Sequence, residues 1–349
     1  MARHCFAYRN HLPAPWGESV DLLVLGGTHH VGRSVVEAAL VRGYSVTTLT
    51  RGLSGPPASG VQPLYADRED GAAMRAALGS RSWDAAIDTW SGAPLAVRQA
   101  TAVLSDRVGH YGYVSSRSVY RWPIPLSLDE SGPVVDADPD SPESDDYAAA
   151  KRGGELAATE AFGERALLAR AGLILGPYEQ VGRLPWWLRR LQRGGRVLSP
   201  GPPNRPLQYI DGRDLANFLL LAAEHQLGGT YNTVSRPGHT TMGELLETTL
   251  AVIGSEAELV WVAPSIIDNA GIAPWSELPI WVPPEGELAG LHAGDVTASH
   301  ARGLRCRPVA ETIRDTWEWL QAEGDPLALS DGSVGLAPER EQAVLATVN

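Results

Sequence analysis

The chain has 349 residues, 44% apolar and 20% charged, enough to fill the core of one large α/β domain or two smaller ones. Lys and Arg number 29 against 41 Asp and Glu, so the net charge is -12, a field that works against phosphate backbones, and nucleic acid is not expected as a main partner. Cys5 and Cys306 lack CxxC spacing, and apolar stretches such as Val20 to Leu25 fall far short of the ~18 residues that span a bilayer, so no disulfide framework, metal site or membrane partner is expected.

Residues 1–19 carry Pro13, Pro15 and Gly17 without a sustained period and read as an N-terminal tail with no signal-peptide h-region, which fits a cytoplasmic chain. From Asp21 an apolar run (21–25) leads into the glycine turn 26–32, a helix over 31–42 and a second strand at 45–50, which together make a βαβ unit. Strands at 61–65, 83–89, 110–115 and 166–171 then alternate with helices at 70–78, 95–104 and 147–162. That alternation predicts an α/β fold, a Rossmann-type doubly wound parallel sheet with ligands at the carboxyl ends of its strands. The first lobe is expected to cover 20–178 and to return at 207–234, with a strand at 207–211, a helix at 215–225 and a strand at 230–233. A smaller substrate-binding lobe is expected at 179–206 and 235–324, because seven of the eleven tryptophans fall beyond residue 180. The stretch 325–349 reads as a C-terminal tail with a short helix at 338–348.

Gly26-Gly27-Thr28-His29-His30-Val31-Gly32 lies between strand and helix, where backbone N–H groups can meet a pyrophosphate. The second strand ends Thr48-Leu49-Thr50-Arg51, with no carboxylate for a ribose 2′-hydroxyl and with a guanidinium suited to a 2′-phosphate, so NADP(H) is favoured over NAD(H). Asp67 and Asp88 fall on the same sheet edge, Asp67 as a candidate acceptor for the adenine amino group and Asp88 as a turn cap or a cofactor contact.

Of the 29 basic residues 28 are arginine, and the single lysine is Lys151. It closes Tyr147-Ala148-Ala149-Ala150-Lys151, in which residues four apart share a helix face, so the ammonium is expected beside the phenol, lowering its pKa toward acid/base work. Upstream, Ser115, Ser116 and Ser118 put hydroxyls at a strand end where one can bond a substrate carbonyl. Eight acids and no base lie between Trp122 and Ala150, a solvated loop or an attractor for an amine-bearing substrate. The segment Leu184-Pro185-Trp186-Trp187-Leu188 reads as core of the second lobe or as the lining of an aromatic pocket.

With the glycine turn, strand-end serines and Tyr-x-x-x-Lys in this order, the chain resembles the extended short-chain dehydrogenase/reductase family, also called the NAD-dependent epimerase/dehydratase family, over roughly residues 21–322. The turn is similar to the subgroup written GGTRFVG, with His29 in place of the usual middle glycine. The resemblance implies Tyr147 and Lys151 as the catalytic pair, Ser116 as the hydroxyl that holds the substrate oxygen, Lys151 on the nicotinamide ribose, and a homodimer joined by helices 95–104 and 147–162. Sugar-nucleotide dehydratases of the family carry Asp-Glu after the catalytic Thr, whereas Arg117-Ser118 follow Ser116, which argues against elimination and makes Arg117 a candidate substrate contact. Epimerases place a diphosphate-binding arginine seven residues before Asp214; that position is Leu207, with Arg205 two residues off. Arg205 and Trp186 complete the candidate substrate contacts.

The expected function is NADP(H)-dependent oxidoreduction at a carbonyl or alcohol carbon of a small molecule such as a sugar or secondary metabolite. Two alternatives use the same fold: a sugar or nucleotide-sugar epimerase with retained cofactor, and a non-catalytic dinucleotide sensor or RNA-binding relative.

Overall fold

A computed structural model describes residues 20–53, 55–323 and 334–348, so the tail expected at 1–19 and the stretch 325–333 lie outside the described residues. Strands β1 (Asp21–Leu25), β2 (Ser45–Thr50), β3 (Val61–Tyr65), β4 (Trp83–Asp88), β5 (Val108–Ser116), β6 (Ala166–Ala171) and β11 (Gly229–Thr233) form one sheet in the order β11-β6-β5-β4-β1-β2-β3. All six pairings are parallel. Parallel strands need crossovers, and α1 (His30–Val41), α2 (Gly71–Leu78), α3 (Pro94–Leu104), α4 (Tyr147–Phe162) and α6 (Gly212–Glu224) lead into β2, β4, β5, β6 and β11, while β2 and β3 have no helix between them among the described residues. The chain leaves β1 toward β2 and β3 on one side, then crosses to β4 on the other. The crevice beyond the carboxyl ends of β1 and β4 is therefore a topological switch point, where such sheets take ligands.

Burial on both faces explains the continuous apolar strands. Leu22 to Leu25 and Ala85 to Ile87 are almost fully buried. Val31, Val35, Phe218 and Leu219 from α1 and α6 cover one face, while Met74, Leu78, Val97, Ala157 and Phe162 from α2, α3 and α4 cover the other. Each such large side chain contributes about 1.5–3 kcal/mol on burial.

The strand expected at 207–211 divides in two. β9 (Pro206–Leu207) pairs antiparallel with β12 (Thr240–Thr241), and β10 (Tyr209–Asp211) pairs with β7 (Leu173–Leu175) outside the main sheet. Gln208 sits at the break, where its buried amide bonds the carbonyls of Ser235 and Gly294 and the N–H of Gly294. Only β11 of the predicted return joins the sheet. A separate core forms from α5 (Arg183–Gln192), β8 (Arg196–Pro200), α7 (Met242–Ile253), β13 (Glu258–Val262), α10 (Val309–Glu323) and α11 (Pro338–Leu345), with the short helix α8 (Pro264–Asn269) beside them, while α9 (Thr297–Ala301) packs on β11, its Ser299 hydroxyl donating to the Asn232 carbonyl. A buried Arg190–Glu341 pair at 2.7 Å fixes α11 against α5. Among the described residues no helix is long and apolar enough to cross a membrane.

Candidate active site

Gly26 and Gly27 hold φ of 120° and 110°, which side chains rarely adopt. A Cβ on Gly26 would stand 2.3 Å from the Thr89 hydroxyl, and one on Gly32 would stand 2.6 Å from the Gly27 nitrogen. Glycine is thus what lets the turn close against β4 and the start of α1. That helix has no side-chain cap and no acid in its first turn, so its N–H groups remain open to an anion. The turn forms one end of a cavity of about 740 Å³, and Gly27 and Thr28 also border a second cavity of about 330 Å³ lined by Thr48, Thr50 and Tyr65. A dinucleotide fits this arrangement, its pyrophosphate on the turn.

Ser116 ends β5, and Tyr147 begins α4, where the Asp146 carboxylate caps the helix by accepting from the Ala149 N–H at 3.0 Å. Tyr147 is 47% exposed at the large cavity, which Ser116 and Lys151 also line. Burial of its surroundings pushes the Tyr147 pKa up, opposed first by a hydrogen bond with Ser116 and then by the charge of Arg183. Lys151 differs from the sequence expectation. The residue is 3% exposed, and its ammonium donates to the Trp90 and Val114 carbonyls, the latter at 2.7 Å, instead of depressing the phenol pKa. Burial brings its own pKa down to about 8.

A family model described as the NAD dependent epimerase/dehydratase family matches residues 22–233. The chain belongs to the NAD-dependent epimerase/dehydratase family. As a member it is an NAD(P)-dependent enzyme. A comparison with curated proteins gives no match. Among solved structures, the Bordetella bronchiseptica enzyme WbmH in complex with NAD+ aligns at 15% identity and TM-score 0.66, over 88% of this chain and 99% of that one. The UDP-glucose 4-epimerase of Thermus thermophilus, in complex with NAD, aligns at 18% identity and TM-score 0.62, over 87% and 99%. That of Thermotoga maritima, with UDP-glucose, gives 18% and 0.60, over 86% and 98%. At these identities the likeness is one of fold.

The large cavity brings together Gly26, Gly27, Thr28, His29, His30, Val31, Gly32, Ser116, Arg117, Tyr147 and Lys151 of the residues expected from the sequence. The two histidines differ. His29 is exposed and pairs through Nδ1 with the Gln180 amide at 2.6 Å, while His30 is half-buried with its ring against Gly212, and burial lowers its pKa to about 4. Neither is placed as a metal ligand, and among the described residues no cluster of His, Cys, Asp or Glu is arranged to hold one.

Five expected contacts stand apart from both cavities. Arg51 is exposed past β2, and Asp67 is exposed and closes its own turn by accepting from the Glu69 N–H at 3.0 Å. Asp88 is fully buried in a bidentate pair with Arg68 at 2.5 and 2.7 Å and also accepts from the Trp90 N–H at 2.9 Å, which satisfies it without a cofactor. The Arg205 guanidinium donates to the carbonyls of Val282, Pro283 and Ala289. Trp186 is 8% exposed and packs edge-on against Trp187 at 4.7 Å in the second core. The acidic stretch is structural too: Asp136 and Asp140 pair with Arg121 and Arg98, Glu130 accepts from the Asn232 N–H, and none of its acids lines either cavity.

Thr89, Glu179, Arg183, Gln208 and Trp275 line the large cavity without having been singled out in the sequence. Arg183 sits over the Trp275 ring at 4.9 Å, a contact between residues 92 positions apart that no local pattern announces. The buried Glu179 carboxylate accepts from the Arg183 and Leu184 N–H groups at 2.7 and 3.2 Å, and burial raises its pKa to about 7.

Proposed function

We propose that the protein is an NADP(H)-dependent oxidoreductase acting on a carbonyl or alcohol carbon of a small molecule, a sugar or secondary metabolite, with Tyr147 as general acid/base. The observation that carries this reading is the placement of Ser116, Tyr147 and Lys151 in the cavity that begins at the glycine turn. A nicotinamide bound there supplies or takes up hydride at C4. Gly26, Gly27 and Gly32 keep the turn open to its pyrophosphate, and Lys151 would hold the ribose. The Ser116 hydroxyl donates to the substrate oxygen, and Tyr147 Oη gives that oxygen its proton in reduction or removes it in oxidation. The raised pKa keeps the phenol protonated at neutral pH, which suits reduction.

The missing acid at the end of β2, with Arg51 one residue past the cavity-lining Thr50, supports NADP(H) over NAD(H). Fluorescence titration with NADPH and NADH tests this: tighter NADPH binding, reduced by Arg51→Ala, is expected, and equal affinities contradict it. A second reading, an epimerase with retained cofactor, draws on folds such as that of the Thermotoga maritima enzyme. An oxidoreductase consumes NADPH stoichiometrically with a carbonyl substrate, whereas an epimerase leaves its absorbance unchanged. The placement of Arg205 on backbone carbonyls favours the first. We further propose a homodimer through α3 and α4.

A further inference from the structure

Two arginines of the large cavity stand outside the Ser116, Tyr147 and Lys151 set, Arg183 acting on Tyr147 only through its charge. Arg117 follows Ser116 directly and is 3% exposed. Its Nη1 donates to the Leu291 carbonyl at 2.9 Å, but Nε and Nη2 have no hydrogen-bond partner. A Cβ on Gly294 would stand 2.2 Å from Nη2, so that glycine leaves the room the guanidinium occupies. Arg183, in the first turn of α5, lines the same cavity, stacks on Trp275 and has a buried Nε without a partner. Among the described residues neither arginine has a carboxylate within ion-pair distance, for Glu179 is bonded to backbone N–H groups instead.

An unpaired buried cation is costly, and a counter-charge brought by a ligand removes that cost. A planar guanidinium matches a carboxylate through two parallel N–H···O bonds, and stacking on Trp275 holds one of these forks in a fixed plane. We infer that the substrate is an oxo or hydroxy acid, its carboxylate held by Arg117 and Arg183 beside the carbon served by Ser116 and Tyr147. The inference rests on the proposed reading in taking this cavity as the substrate site.

The test is calorimetric titration of the protein saturated with NADP+, using pyruvate, acetoacetate and galacturonate, each beside its methyl ester, and inorganic phosphate. At least one acid is expected to bind on the order of tenfold more tightly than its ester. Arg183→Gln should raise that acid's Kd to the ester's value while leaving dinucleotide affinity intact, which also reports that the variant is folded. Arg117→Gln should do the same; because its Leu291 bond ties two segments together, Arg183→Gln, which breaks no side-chain hydrogen bond, is the deciding variant if Arg117→Gln does not fold. Acids that bind no better than esters, no acid with a Kd under about 10 mM, a preference that survives Arg183→Gln, or phosphate binding in place of every acid would overturn the inference. None of these readouts needs turnover, so failure here is distinguishable from failure of the oxidoreductase reading, which NADPH consumption tests.

Discussion

Tyr147 and Lys151 are both held toward their neutral forms, the tyrosine by a raised pKa and the lysine by one lowered from 10.5 to about 8, with burial the first cause in each. Reduction requires a protonated phenol and, in the proposed role, a charged ammonium, and as pH rises the lysine is the first to lose its proton. The kcat/KM for reduction, which reports the free enzyme, is therefore expected to stay level through neutral pH and to fall as pH rises past about 8. A profile that stays level well above that value contradicts the assignment. The sign for stability is opposite: the folded protein holds this proton less tightly than the unfolded chain, so charging Lys151 opposes folding fully below about pH 8, and the penalty fades toward 10.5. At this scale spacing placed Tyr147 and Lys151 on one helix lining one cavity, but not the ammonium on the phenol, since Nζ turns to the Trp90 and Val114 carbonyls, which no local pattern brings near. The sequence was silent on Arg183 and Trp275, whose contact depends on the packing of separate segments.

Among the elements, β4 shows how a residue at a functional edge can be structural. Asp88 ends the strand beside the switch point, yet Arg68, which lies between β3 and α2, occupies both its oxygens. The pair is nearly inaccessible on both sides, so Asp88→Ala leaves an uncompensated buried cation and should cost about 3–5 kcal/mol, read as a lower denaturation midpoint. NADPH affinity of the folded variant should be unchanged; a large loss of affinity with little loss of stability would make Asp88 a cofactor contact after all. The βαβ elements were legible because apolar runs, turn residues and helical spacing agree locally: the segments 21–25, 45–50, 61–65, 147–162 and 166–171 fall where periodicity puts them. The 207–211 segment was not, since the Gln208 bonds that break it go to residues 235 and 294.

At the scale of the molecule, a nucleotide-binding sheet and a second core meet along the large cavity, whose residues come from β5, α4, α5 and the loops near 208, 275 and 291. Helices α3 and α4 lie side by side, linked through Arg98 to Asp140 and Glu160. If they form the subunit contact, the mass in solution is that of a dimer by light scattering, and Leu156→Glu on the partly exposed side of α4 yields monomers. A monomeric wild-type protein at micromolar concentration contradicts the dimer. Composition and alternation foretold the doubly wound sheet, but not which arginines enter the cavity, because Arg51, Arg205, Arg117 and Arg183 are alike in sequence and differ only in what their guanidiniums meet after folding.

The most direct measurement follows NADPH absorbance in the presence of carbonyl compounds, oxo acids included, with wild type and Tyr147→Phe side by side. Wild type is expected to consume NADPH stoichiometrically, and the variant, which loses only the proton-bearing oxygen, to show near-abolished turnover with unchanged NADPH affinity. Turnover undiminished in Tyr147→Phe would contradict the role of Tyr147 as the acid/base.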